Sequence, residues 1–458
     1  MLDLALLGFV AVMLALGLKR PFFWVLAYIY IDIVAPQKIG WGLIQAIPLS
    51  LVAFMAAFAG WLLLDSKKGS RFTFSQALIL ALLAYCAMTT FIADFQDSAW
   101  EKWDWVWKAM VFAAFLPLTL RTKLRIEAAL LFIVLAVGTI AINGGIKTVF
   151  GGGGYGTLSL LVDDDSGMYE GSIISTVAIC IIPFALWLAR HGTIFKPDWR
   201  VWLFTGGLIL ACLLIPIGTS ARTGLVCIAV LAALLLRSVR YRFVYAGLAG
   251  VALLAAIPFL PQSYVERMGT ITGYQGDQSA STRIAVWSWT IDYVQANPVG
   301  GGFDAYRANS FTYRTRTVKG DDAYRQVEYG EVTEEGRAYH SSYFELLGEQ
   351  GFVGFGIWMW LNFLGLWHME RLRWKFGKTV EGKASWQWGL ATALQQSHLV
   401  YLVGALFVGI GYQPFLFMLI GLQCALWSYV RRMAPPKKAN FKRHQDVQAE
   451  AQANPAIA

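Results

Sequence analysis

Residues 338–368 read AYHSSYFELLGEQGFVGFGIWMWLNFLGLWH, and this change from polar to apolar sequence decides the fold. Its apolar part is long enough for a helix that crosses a bilayer, which takes about 20 residues. The segment closes the one long polar stretch between apolar runs, residues 261–345. The spacing Ser342-x-x-Glu345 predicts a capping box, so we expect His340 just outside a helix N-terminus.

Apolar runs of similar length recur along the whole chain. Of its 458 residues, 57% are hydrophobic and only 15% are charged, whereas about a quarter of the residues in soluble domains are charged. Because hydrocarbon offers no partner to an unpaired amide, the runs must form helices. They lie near 4–18, 22–35, 44–64, 73–93, 105–120, 126–142, 172–189, 201–217, 223–236, 243–260, 347–368, 389–408 and 413–430. We therefore predict an all-α polytopic membrane protein with 13 transmembrane helices, or 12 if the first run lies along the interface.

Short clusters of Lys and Arg fall on every second connection between these runs, as at 67–71, 121–125, 237–242 and 371–378. The positive-inside rule makes those connections cytoplasmic and places residues 261–345 outside. The distribution of the basic residues therefore reflects membrane topology. The net charge of +9 does not indicate nucleic acid, which we exclude as a partner. The predicted organisation is an N-terminal bundle (1–260), an outer catalytic loop with some helix (261–345), C-terminal helices (346–432) and a disordered cytoplasmic tail (433–458).

No metal site is predicted. The five cysteines lie in apolar runs without C-x-x-C spacing. Asp163, Asp164 and Asp165 are adjacent in the chain, and three adjacent carboxylates on a regular element do not converge on one ion.

His340 is the first candidate for chemistry. The positive end of the following helix disfavours a charged imidazolium, and a neutral imidazole near pH 7 is what a general base requires. The alternative interpretation is a surface or capping histidine without a chemical role.

Two arginines are the next candidates. Arg222 lies in a tight outer turn, 216–224, where a lone arginine runs against the charge bias, and ionisable groups near membrane depth usually mark function. The alternative is a snorkelling side chain. Arg283 opens an amphipathic stretch, 283–291, which suits a helix on the membrane surface. Because guanidinium groups bind phosphates as a fork, two arginines and a neutral histidine at one leaflet predict a lipid-linked phosphate ligand.

Four segments carry a family resemblance, in order along the chain. They are GTSARTG at 218–224, STRIAVW at 281–287, NPVGGGF at 297–303 and HSSYFELLGEQG at 340–351. With them the chain resembles the O-antigen ligase and polymerase superfamily of bacterial membrane glycosyltransferases. Residues 100–103 and 261–274 are similar to its exosortase-associated putative O-glycosylation ligase branch. DDDS at 163–166 departs from the Asp-Asn-Asn run of that branch.

The resemblance implies a GT-C-like enzyme of the bacterial inner membrane that needs no metal or cofactor and whose active site faces the periplasm. Such enzymes take a glycan from undecaprenyl-pyrophosphate. The acceptor is a hydroxyl of lipid A-core for a ligase, of a growing polymer for a polymerase, or of a protein side chain for an O-oligosaccharyltransferase; the branch favours the ligase. By this resemblance His340 matches the essential histidine, and Arg222 and Arg283 match the arginines that hold the pyrophosphate. We predict Arg337 and Tyr343 as further substrate contacts.

A transporter of lipid-linked glycans is the rival from another class, since it too must hold a phosphate. It predicts charged residues inside the spans and internal symmetry, and the sequence shows little of either.

Overall fold

The computed structural model describes residues 2–40, 43–151, 167–237, 241–244, 247, 278–319 and 326–433. Several predictions concern residues outside these ranges: most of the span at 243–260, the loop residues 261–277, the run Asp163 to Asp165 and the C-terminal tail. The described chain is an all-α polytopic membrane protein, with one small sheet in the long loop.

The helices follow the predicted apolar runs closely. Numbered along the described residues, they are α1 (Leu2–Lys19), α2 (Phe22–Val34), α3 (Pro36–Ile39), α4 (Leu43–Ala46), α5 (Leu49–Ala59, continued by a π turn at Gly60–Leu64), α6 (Phe74–Phe91), α7 (Gln96–Thr119), α8 (Lys123–Gly151), α9 (Gly171–His191), α10 (Trp199–Gly218), α11 (Arg222–Leu236), α12 (Gln278–Ala296), α13 (Ser342–Phe376), α14 (Val380–Ala384), α15 (Trp386–Gly404) and α16 (Pro414–Met433).

Within the described ranges, six helices are long and apolar enough to cross a membrane: α6, α8, α9, α10, α13 and α16. Four shorter apolar helices accompany them, at Leu4–Lys19, Phe22–Val34, Leu49–Leu64 and Arg222–Leu236. The total of 12 or 13 crossings stays a prediction. Helix α7 begins nine residues before the predicted run at 105–120, because helical structure continues past the apolar residues into a polar segment with partners of its own.

Helices α9 and α16 form the interior of the bundle. Helix α9 packs against α8, α10, α11 and α15, and α16 packs against α7, α13 and α15. Both are buried over most of their length. Helix α13 begins beside His340 and, with a length of 35 residues, ends at the opposite end of the bundle. The two ends are called the His340 end and the basic end below.

The long loop contains a two-stranded antiparallel hairpin in addition to helix α12, and the sequence reasoning missed it. Strand β1 (Ser310–Lys319) pairs with β2 (Gln326–Glu335), with Ser310 opposite Glu335 and Lys319 opposite Gln326. The segment SFTYRTRTVK is rich in β-branched and aromatic residues, which favour strands. Its charged residues are also typical of a solvated loop, so the sequence was interpreted as a loop.

A glycine-rich segment, residues 300–302, brings the loop against α13. Residue Gly351 interrupts α13 with φ 58° and ψ −165°, a backbone conformation reserved for glycine. At this break the amide of Phe352 donates to the carbonyl oxygen of Pro298 at 3.1 Å. A Cβ atom on Gly351 would overlap that oxygen, and one on Gly300 would overlap the amide nitrogen of Gly351.

We expect Gly351→Ala to destabilise the protein by at least about 1–3 kcal/mol, the cost of holding a side chain in this region of φ and ψ. The matched control is Gly356→Ala on the same helix, where a Cβ would meet nothing within 4 Å. That change should raise stability slightly, since alanine is the better helix former. Thermal unfolding of both variants in detergent measures the difference, and equal midpoints would contradict the close crossing.

Candidate active site

The segment that carries His340 is fastened to the loop between α15 and α16. Ser342, the first residue of α13, is fully buried. Its amide donates to the carbonyl oxygen of Ala405 at 2.8 Å. Its hydroxyl donates to the carbonyl oxygen of Val408 and accepts from the amide of Ile410, both at 2.8 Å. Three hydrogen bonds to this one loop therefore hold Ser342, two residues from His340.

The predicted capping box at this helix start is wrong. Ser341 occupies the N-cap position, and no side chain caps the helix there. The hydroxyl of Ser342 is used by the neighbouring loop, and Glu345 accepts instead from the amide of Gly411 at 3.2 Å. Tertiary partners have replaced the local pair that the spacing predicted. The prediction that His340 lies just outside the helix N-terminus is confirmed.

His340 has a left-handed backbone, with φ 47°. The other non-glycine residues with positive φ in the described ranges are Ala35, Ser220 and Asp304. Ser220 lies two residues before Arg222, and Asp304 lies in the same loop as His340. Such strain persists only where the surroundings enforce it, and it concentrates at functional sites.

Helix α12 packs on the other side of this segment. The indole N–H of Trp287 donates to the carbonyl oxygen of Tyr339 at 2.9 Å, directly before His340. The same indole stacks on the ring of Phe344, with centroids 4.9 Å apart and planes 5° apart. Arg283 lies one helical turn before Trp287 and so shares its face of α12, which directs it towards His340.

Burial, together with the positive charges of Arg283 and Arg337, lowers the pKa of His340 to about 4. The imidazole is therefore neutral at pH 7, as the sequence reasoning predicted from the helix N-terminus. The main causes are different ones, desolvation and two guanidinium groups. The structure thus brings three predicted site residues into one electrostatic unit.

Arg337 is held through its backbone. Its amide donates to Oδ1 of Asn309 at 2.9 Å, and its carbonyl oxygen accepts from Nδ2 of the same side chain at 2.7 Å. Asn309 is buried, whereas the guanidinium of Arg337 is half-exposed and pairs with Glu334 at 3.3 Å. A rigid backbone therefore presents a charged side chain at the solvent-facing edge of the site.

Tyr343 joins α13 to α15. Its hydroxyl donates to the carbonyl oxygen of Leu402 at 3.1 Å, and its ring packs edge-on against Trp358 at a centroid distance of 5.5 Å. These contacts give Tyr343 a packing role. Its role as a substrate contact stays a prediction.

Arg222 is the first residue of α11, at the His340 end of the bundle. Five residues further along α11, the thiol of Cys227 lies 3.8 Å from the carbonyl oxygen of Val400 on α15. Five residues beyond Val400, Ala405 accepts the hydrogen bond from Ser342. A rise of about 1.5 Å per residue therefore places Arg222 and Ala405 at similar depth, each about 7.5 Å from the shared contact.

A buried ionic cluster next to this site was missed by the sequence reasoning. Nζ of Lys102 lies 2.9 Å from Oε1 of both Glu345 and Glu349, and 3.7 Å from Oδ1 of Asp304. The amide of Asp304 also donates to Oε1 of Glu349 at 3.0 Å. The spacing of the two glutamates, four residues apart at the start of an apolar helix, was the available signal, because unpaired carboxylates are costly there.

Aromatic rings complete the enclosure of the lysine. The ammonium group lies 4.9 Å from the ring centroid of Tyr412 and 5.6 Å from that of Phe303. Lys102 thereby ties α7, the loop before β1 and the first two turns of α13 together, directly beneath the segment of His340.

Family comparisons match both parts of the chain. Residues 1–193 match a family of unknown function, DUF5935, and residues 207–359 match the family described as O-Antigen ligase. The second match contains Arg222, Arg283 and His340, and it confirms the resemblance to the O-antigen ligase superfamily; the exosortase-associated branch stays a prediction. A search of curated proteins finds no match. The family match supports a membrane glycosyltransferase of the ligase or polymerase kind.

Proposed function

We propose that this protein transfers a glycan from undecaprenyl-pyrophosphate to a hydroxyl of lipid A-core, at the periplasmic face of the bacterial inner membrane. The observation that carries the proposal is the unit of His340, Arg283 and Arg337. It combines an uncharged imidazole with two fixed positive charges at the start of a membrane-spanning helix. The match of residues 207–359 to the O-Antigen ligase family supports it.

The proposed reaction is a displacement at the anomeric carbon of the donor sugar. The acceptor oxygen forms the new bond to that carbon while its proton passes to a ring nitrogen of His340. The bond from the carbon to the pyrophosphate oxygen breaks, and its electron pair leaves with the pyrophosphate. Arg283 and Arg222 stabilise the charge that develops there, which is electrostatic preorganisation in a site of low dielectric.

A base with a lowered pKa suits this reaction because binding of the donor changes the charge around His340. The pyrophosphate brings negative charge to Arg283, one of the two arginines that lower the pKa of His340. A nearby anion favours the charged imidazolium, so donor binding raises the proton affinity of His340. The imidazole is thus kept unprotonated in the free enzyme and becomes a better base once the donor is bound.

Synthesis of a new glycosidic bond is the test of the proposal. Purified protein in proteoliposomes would receive a labelled undecaprenyl-pyrophosphate glycan and a lipid A-core acceptor. We expect labelled acceptor together with released undecaprenyl-pyrophosphate. Movement of the intact donor across the bilayer without a new bond would show the transporter instead.

The acceptor class can be read in the native host after deletion of the gene. Accumulation of full-length polymer on the carrier supports the ligase. Accumulation of single repeat units would show a polymerase, and loss of glycan from protein alone would show a protein O-oligosaccharyltransferase.

We expect the acid limb of kcat/KM to follow the protonation of His340. Activity needs the neutral imidazole, so it falls as the pH drops through the pKa of about 4. In Arg283→Gln one of the charges that lower this pKa is gone, so the pKa rises and the limb moves to higher pH. Arg307→Gln, a change of a half-exposed arginine that pairs with Asp304, is the control and should leave the limb in place. A limb that stays unmoved in Arg283→Gln would contradict the coupling, whatever the loss in rate.

A further inference from the structure

A second polar site lies at the basic end of the bundle, opposite His340. A cavity of about 550 Å³ opens where the C-terminal ends of α11 and α13 meet α14 and the beginning of α15. Its lining contains four positively charged side chains and one carboxylate: Arg237, Arg373, Lys378, Lys383 and Glu370. The proposed reaction uses none of these residues.

The one carboxylate is already committed. Oε2 of Glu370 accepts from Nη1 of Arg373 at 2.7 Å and from Nε2 of Gln395 at 2.9 Å. Nη1 of Arg373 also donates to Oε1 of Gln395 at 2.5 Å, which closes a compact triad. Arg373 and Glu370 therefore neutralise each other and form a fixed wall of the cavity.

The other three cations of the lining differ from Arg373. Across the described ranges, no carboxylate lies within ion-pair distance of Arg237, Lys378 or Lys383. Three like charges around one cavity repel one another, and a bound anion would turn that repulsion into attraction. The lysines act as point charges, which is how lysine commonly binds phosphate.

Apolar side chains line the cavity beside these cations. Trp374 lines the cavity and is 56% exposed, and Leu234 and Trp388 also line it. Tryptophan is enriched at the level of lipid headgroups. The cavity therefore combines exposed cations with an exposed aromatic ring of the kind found at the membrane interface, an arrangement that suits a charged headgroup whose acyl chains stay in the bilayer.

We propose that this cavity binds the phosphate group of an anionic phospholipid in the leaflet at the basic end, which the charge pattern predicts to be cytoplasmic. Basic pockets between transmembrane helices on that side recognise such headgroups. Inorganic phosphate shares the chemistry, but it would make no use of the apolar lining residues Leu234, Trp374 and Trp388. Because the site is remote from His340, this proposal is independent of the proposed reaction.

The test is a lipid titration of the full-length protein, purified in a neutral detergent. Protection against thermal unfolding would be measured with mixed micelles containing phosphatidylglycerol, with micelles containing only phosphatidylcholine, and with inorganic phosphate at equal phosphate concentration. The variant is Lys378→Gln with Lys383→Gln. The matched control is Lys375→Gln with Lys196→Gln, which removes two exposed charges at the same end that do not line the cavity.

We expect phosphatidylglycerol to protect the wild type and the control, and to bind the cavity variant on the order of 30-fold more weakly, about fivefold for each lysine lost. Equal affinity for the cavity variant and the wild type would overturn the site. An equal loss in the control variant would also overturn it, since the effect would then be general surface charge. Equal protection by inorganic phosphate or by phosphatidylcholine would overturn the anionic lipid as the ligand.

Discussion

Replacing His340 by asparagine is expected to lower the rate of glycan transfer by roughly 10²–10⁴-fold, the loss typical when a general base is removed. Asparagine is the right replacement because the residue has φ 47°, and asparagine adopts the left-handed conformation far more readily than alanine does. The variant therefore keeps the backbone while it removes the ring nitrogens. Because the imidazole acts on the acceptor proton, the loss should fall mainly on kcat.

Single-turnover transfer from a lipid-linked donor in proteoliposomes measures this loss. The control is His368→Ala, which removes a histidine within α13. His368 lies at the basic end, where its ring stacks on Trp427 at a centroid distance of 4.3 Å. The control should retain transfer. If His340→Asn transferred glycan at near the wild-type rate, His340 would have no part in the proton transfer, and the proposed mechanism would fail.

The helices were predictable because each is dictated locally. A run of apolar residues long enough to cross a bilayer has no other stable backbone, so runs such as 172–189 and 413–430 coincide with α9 and α16. The ends were less predictable. Helix α7 continues into polar sequence, because Lys102 forms ion pairs with residues of another element. No local sequence pattern predicts these pairs.

The hairpin was unpredictable for a related reason. Its strands lie in a long polar segment where a charged solvated loop and a charged two-stranded sheet have similar composition. The pairing of Ser310 with Glu335 joins residues far apart in the chain, and the sequence of neither strand predicts it. The predicted capping box was wrong for the same reason, because Ser342 forms its hydrogen bonds with the loop at 405–410 instead of with a local partner.

The electrostatics of the site show most clearly what cannot be predicted from the sequence alone. The sequence indicates a neutral histidine, and the lowered pKa agrees with it, but the causes lie in the tertiary structure. Burial comes first, followed by Arg283 and Arg337. Arg283 lies 57 positions before His340 in the chain, and the stacking of Trp287 on Phe344 brings it close. A charge contributed by folding cannot be read from the neighbours of a residue in sequence.

The ionic cluster beneath the site leads to the second large prediction. We expect Lys102→Met to destabilise the protein by about 3–5 kcal/mol, the cost of removing one partner from a buried ion pair. Glu349 is fully buried and Glu345 nearly so, and both would lose the cation that compensates their charge. Methionine keeps most of the volume of the lysine stem, so the change isolates the charge from the packing.

The rescue variant makes this prediction specific. Lys102→Met combined with Glu345→Gln and Glu349→Gln removes the lysine and the two carboxylates closest to it. It should recover most of the lost stability, because the remaining carboxylate of the cluster, Asp304, still has Arg307 within 3.9 Å. Arg307→Met is the surface control. Its guanidinium lies 3.9 Å from Asp304 but is half-exposed, and pairs of that kind contribute less than about 1 kcal/mol.

Thermal unfolding in detergent, followed by tryptophan fluorescence, would rank the four proteins. The expected order of midpoints is wild type and Arg307→Met highest, the triple variant next, and Lys102→Met lowest. If the triple variant unfolded no later than Lys102→Met, the lysine would stabilise the site by packing against Tyr412 and Phe303 rather than by charge. The ionic account of how α13 is held beneath His340 would then have to be abandoned.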